Sequence, residues 1–92
     1  MSKTIHREQL EITESTQVLP VGAGRIVHVA QDREGKGKID VWFEKIKARS
    51  IVPDRKFRVI PTGEFFPEGY EHVGTVIVTN GAVWHVIRER SY

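Results

Sequence analysis

Four histidines, at positions 6, 28, 72 and 85, are the residues best suited to proton or metal chemistry in this chain. No two of them fall at a short metal-ligand spacing. His28 and His85 sit inside apolar runs, where an imidazole stays neutral if both ring nitrogens find hydrogen-bond partners. A metal set of His28, His85 and one of Glu64, Glu68 or Glu71 is one reading of them, and acid–base work by His85 another. Spacing places no nucleophile or carboxylate pair beside either. Structural, hydrogen-bonded imidazoles are the expectation, with no catalytic residue, metal or cofactor. The chain has no cysteine, which removes thiolate nucleophiles, thiolate zinc sites and disulfides.

Two glycine motifs fail their functional tests. Gly22-Ala23-Gly24 lacks the third glycine of a dinucleotide fingerprint, and a β-type run follows where a helix is required. Gly35-Lys36-Gly37-Lys38 has the wrong spacing for a P-loop and no Ser or Thr after its lysine. It reads as a flexible hairpin tip.

Charge is distributed unevenly. The net charge is +2, but residues 33–58 hold nine bases against four acids, a local +5. The remainder holds five against eight, or −3. Many of these cations read as solvated guards of exposed strand edges. Lys45, Lys47, Arg49, Lys56 and Arg58 form the best candidate for an anion-facing surface, with Trp42 as a stacking platform. Nucleic acid is not the favoured partner, because +2 is weak for that role and no RNP-type motif is present. A mononucleotide or cyclic dinucleotide needs only a few cations and one or two aromatic faces, which a pocket between subunits supplies.

The elements that must position these groups are strands. No window keeps apolar residues at helical spacing for three turns, whereas short alternating runs separated by turn residues recur throughout. The expected fold is all-β, a compact antiparallel sandwich of about seven strands in one domain spanning residues 1–92. Expected strands cover 4–12, 16–19, 25–31, 39–46, 56–60, 73–79 and 82–89. In the third, Ile26, His28 and Ala30 share one face. In the fourth, Ile39, Val41 and Phe43 face the core while Trp42 lies on the more polar side.

Asn80-Gly81 reads as a two-residue type I′ turn. That register sets Ile77 opposite Trp84, Thr75 opposite Val86 and Val76 opposite His85. Both faces of this hairpin are largely apolar, so both are expected to be covered. Either a second subunit or the loop aromatics Phe65 and Phe66 would do so. A homo-oligomer, with a dimer favoured, is expected, and Trp84, Trp42, Phe65 and Phe66 are its interface candidates. Met1 to Gln9 has no apolar signal core, and no run approaches the roughly 20 residues that span a bilayer. A soluble protein with no membrane partner is the expectation.

The chain resembles a family of small proteins encoded by tailed phages and prophages. The likeness runs through Lys3-Thr4-Ile5, Leu10-Glu11-Ile12, Gln17-Val18-Leu19-Pro20, Gly22-Ala23 and Val27-His28-Val29. It continues in Arg55-Lys56-Phe57-Arg58, Thr62-Gly63, Tyr70-Glu71-His72-Val73-Gly74-Thr75 and Val83-Trp84-His85-Val86. His6 stands where members often carry an aromatic, and residues 31–54 follow the pattern poorly. The resemblance implies a non-enzymatic protein of the host cytoplasm that acts by occupancy, as in counter-defence. Its target would be an anionic, nucleotide-like ligand or an acidic host surface. A phage assembly accessory is the alternative, and a small hydrolase using His85 and His28 a further one.

Overall fold

Alternation along the strands sorts their side chains into an inner and an outer set. The computed structural model describes residues 3–21, 24–46 and 54–90. Seven strands run as β1 (Lys3–Glu11), β2 (Gln17–Leu19), β3 (Ile26–Gln31), β4 (Lys38–Ile46), β5 (Arg55–Pro61), β6 (Tyr70–Ile77) and β7 (Val83–Glu89). They form two antiparallel sheets, β1-β4-β3 and β2-β5-β7-β6. Leu10, Val29, Ile39, Val41 and Phe43 from the first sheet meet Leu19, Phe57, Val59, Val76 and Val86 from the second. Each such side chain contributes about 1.5–3 kcal/mol by leaving water. The result is an all-β sandwich with this cluster between its layers.

The sheets approach most closely where β3 meets β6. Gly74 makes this possible, because a Cβ there would overlap Cγ2 of Val29. The Gln31 amide and the Thr79 hydroxyl complete the seam, with contacts of 2.8 and 3.0 Å.

Three local irregularities depart from the sequence reading. A bulge between Ile26 and His28 turns Ile26 inward with Val29, away from the face of His28 and Ala30. The last hairpin closes through Thr79, Asn80 and Gly81. Gly81 N–H donates to the Val78 carbonyl (2.8 Å), and Val78 N–H to the Ala82 carbonyl (3.0 Å). Among the described residues only glycines have positive φ, and Gly81 is at +87°. This is a type I turn followed by a left-handed glycine, not the type I′ turn expected. The extra loop residue displaces β6 by one position against β7. Val76 therefore pairs with Trp84 and Thr75 with His85, while Ile77 turns to solvent at 68% exposure. A further bulge between His72 and Gly74 places His72 opposite Ile87.

Candidate functional site

The displaced register builds a polar cluster on the outer face of the four-stranded sheet. Ile60 and Thr62 share that face at the end of β5, His85 and Ile87 lie on β7, and His72 and Thr75 on β6. Thr62 Oγ1 lies 2.8 Å from His85 Nε2. His85 Nδ1 lies 3.0 Å from Thr75 Oγ1, which lies 3.0 Å from His72 Nε2. The two imidazole nitrogens are 3.3 Å apart, and the ring centroids 5.4 Å. One directed chain satisfies these contacts. Thr62 donates to His85 Nε2, His85 Nδ1–H donates to Thr75, and Thr75 donates to His72 Nε2.

This cluster edges a cleft of about 420 Å³. Its floor is Ile60 and Ile87, only 3% and 0% exposed although they point away from the core. Pro61 at the end of β5 and Gly63, Glu64 and Phe66 of the following loop form its wall. An apolar floor with a few convergent polar groups is the usual composition of a small-molecule site. Phe65, next to Phe66, is 98% exposed.

The cleft lining holds one acid, Glu64, and the basic row of β5 lies outside it on the same sheet face. Lys56 and Arg58 occupy the same outward row of β5 as Ile60, at intervals of about 7 Å. Arg58 Nη2 donates to the Glu14 carbonyl (3.3 Å), and its Nε is buried without an acceptor among the described residues. Glu64 is part of the cleft lining. On the inner side, Arg88 binds Glu71 (3.2 Å) and the Gly24 carbonyl (3.0 Å). Burial lowers the Arg55 pKa, and the neighbouring Arg88 charge lowers it further.

The anion surface expected from sequence is only partly assembled. β4 and β5 belong to different sheets, so Trp42 faces out of one side of the sandwich while Lys56 and Arg58 face out of the other. Trp42 packs against His28 with its ring tilted and the centroids 5.7 Å apart, and pairs with Arg7 of β1. Beside it Asp40 is fully buried under Gln9 (2.9 Å) and Arg7 (3.5 Å). Lys45 pairs with Thr4 near the end of β4. Lys47 and Arg49 lie outside the described residues.

The interface candidates divide as well. Trp84 is half-buried and packs against the core. Phe66 lines the cleft on the outer face and is itself partly exposed, while Phe65 is open to solvent. His28 and His85 occupy opposite faces of the sandwich, so neither the metal set nor the hydrolase pair built on them is formed. Among the described residues no three His, Cys, Asp or Glu side chains group as a metal ion requires. No helix among them is long and apolar enough to cross a membrane.

Sequence reasoning missed Thr62, Thr75 and His72 as partners of His85. The Thr62-Gly63 and Gly74-Thr75 pairs were visible, but only the correct register brings their hydroxyls to one imidazole. Residues 1–92 match the model of a family described as a domain of unknown function, DUF7352, and the chain belongs to that family. No curated protein matches the chain, and no solved structure does.

Proposed function

We propose that this DUF7352 protein is a non-enzymatic binder that acts by occupancy, holding a small anionic, nucleotide-like ligand on the outer face of its four-stranded sheet. The observation that carries this reading is the apolar-floored cleft with the Lys56–Arg58 row beyond it on the same sheet face. Lys56 and Arg58 suit a phosphate, and the Ile60–Ile87 floor beside Phe66 suits a flat ring. Glu64, Thr62 and the exposed His72 suit the donor and acceptor edge of that ring. Binding rather than turnover is supported by the imidazoles themselves. Both nitrogens of His85 are engaged by threonine hydroxyls and by His72, not aimed at a substrate. Read with the likeness to phage-encoded proteins, capture of a nucleotide signal in the host cytoplasm would serve counter-defence.

The test is titration of the 15N-labelled protein with nucleoside monophosphates and cyclic dinucleotides. Shifts are expected at Ile60, Thr62, Thr75, His85 and Ile87, weakening as salt rises. Lys56→Glu should weaken them while keeping its fold, since Lys56 is exposed and surface charge changes rarely cost much stability. Trp42→Ala should bind as the parent does. Shifts confined to the Trp42 face, or none at millimolar ligand, would overturn the proposal and favour an assembly accessory.

A further inference from the structure

We infer that His72 and His85 hold a divalent zinc-type metal ion at the edge of the cleft, with Nε2 of the first and Nδ1 of the second as its protein ligands. The inference shares the cleft of the proposed function but rests on the two imidazoles, not on a nucleotide. Their facing nitrogens lie 3.3 Å apart. Zinc binds imidazole nitrogen at about 2.0–2.1 Å, so two ligands at the tetrahedral angle stand about 3.3–3.4 Å apart. Square-planar neighbours at the same bond length would stand closer, at about 2.8–3.0 Å, so the spacing suits zinc better than copper. Imidazole ligands also select such an ion over magnesium or calcium, which prefer oxygen.

Regular strands would not bring these groups together. His72 and Thr75 are three residues apart on β6 and would face opposite sides of an unbroken strand. The bulge between His72 and Gly74 adds the residue that turns His72 onto the face of Thr75 and His85. Thr62 then sets the tautomer. Its Oγ1 lies 2.8 Å from His85 Nε2, and by accepting Nε2–H it leaves Nδ1 as a lone pair. Metal-binding imidazoles commonly have such an outer partner. Both facing nitrogens are then acceptors. Thr75 Oγ1 is 3.0 Å from each, but its single proton serves only one. A metal ion satisfies both. Charge agrees with a cation, since the cleft lining holds Glu64 and no lysine or arginine. His72 is exposed and His85 half-buried, so an ion reaches them from solvent. Among the described residues no third His, Cys, Asp or Glu joins the pair, so water or an anionic oxygen takes the remaining positions. In the proposed function the ion would supply, inside the cleft, positive charge that Lys56 and Arg58 hold beyond it.

Zinc chloride titrated into the untagged, 15N-labelled protein tests this through the imidazole nitrogen resonances. His72 Nε2 and His85 Nδ1 should shift together at equimolar zinc, and a chelator should reverse the shifts. His6 and His28, on the other sheet, should keep theirs, and magnesium should move none of the four. Cobalt in place of zinc should show the intense visible absorption of a tetrahedral ion. His72→Gln and His85→Gln should each weaken zinc binding roughly tenfold or more, because each leaves a single protein ligand. Thr62→Val should weaken it about tenfold by removing the outer partner of His85, and Thr62→Ser should restore it. Circular dichroism checks that the variants are folded, and His72→Gln, at an exposed position, carries the test alone should His85→Gln not be. Equal shifts at His6 or His28, single-histidine variants that bind as the parent does, or no shift at submillimolar zinc would overturn the inference. Zinc held by this pair in a protein that binds no nucleotide, with or without the metal, would uphold it and retire the ligand reading alone.

Discussion

Thr62 Oγ1 and His85 Nε2 lie 2.8 Å apart, which ties the first residue after β5 to the centre of β7. The loop carrying Phe65 and Phe66 leaves the sheet from this bond. That hydroxyl ties the starting point of the loop to one side of the imidazole. His85 is held from its other side by Thr75, so its ring is clamped between two strands' worth of hydroxyls.

Thr62→Val should therefore loosen the site more than it destabilises the fold. The substitution keeps the branched shape and removes the donor to His85. A partly exposed hydrogen bond of this kind contributes about 0.5–1.5 kcal/mol. Denaturant unfolding should show a loss in that range. Amide exchange should accelerate at residues 63–69 while the core strands keep their protection. Thr62→Ser retains the hydroxyl and should restore most of the protection. Equal exchange in all three proteins would mean that the bond does not anchor the loop.

Gly74→Ala tests the seam between the sheets. The added Cβ overlaps Val29 Cγ2, and Val29 is buried in the core, so one of the two strands must shift. Overpacking of this kind costs about 1–3 kcal/mol. Val29→Ala alone should also destabilise, by leaving a small void. The double variant should cost less than the sum of the two, because alanine at position 29 makes room for the new methyl group. Strict additivity in urea unfolding would show that Gly74 is not held to its size by Val29.

The sandwich was legible because its signal is local. Ile39, Val41 and Phe43 alternate with polar neighbours, Phe57 and Val59 do the same, and Pro20 and Asn80-Gly81 mark where strands stop. Each of these depends on a few adjacent residues. The site was not legible, because it depends on counts that alternation does not specify. The bulge at Val73 adds one residue to β6, and the three-residue turn at Thr79–Gly81 adds one to the loop after it. In the two-residue register Thr75 faces Val86 and His85 faces Val76, and no cluster exists. The same limit applies to the basic residues. Their sequence proximity between positions 42 and 58 suggested one surface, but β4 and β5 enter different sheets, and Trp42 is carried to the far side from Lys56 and Arg58.

The turn itself gives the last prediction, and it separates the two registers chemically. In a type I′ turn both Asn80 and Gly81 need positive φ, so any side chain other than asparagine, aspartate or glycine at position 80 is strained. In the observed turn only Gly81 is left-handed, at φ +87°. Asn80 has ordinary backbone geometry, and its Oδ1 accepts a hydrogen bond from Ala82 N–H at 2.9 Å. Asn80→Ala should then cost only that exposed bond, about 0.5–1.5 kcal/mol at most. Gly81→Val forces a β-branched residue into left-handed geometry and should cost about 1–3 kcal/mol. Gly81→Asn should fall between the parent and the valine variant, because asparagine tolerates this region better than valine does. Thermal unfolding of the three variants checks the order. Strain at position 80 matching that at 81 would restore the two-residue turn, return Ile77 to the side of Trp84, and dissolve the contact between Thr75 and His85 on which the site is built.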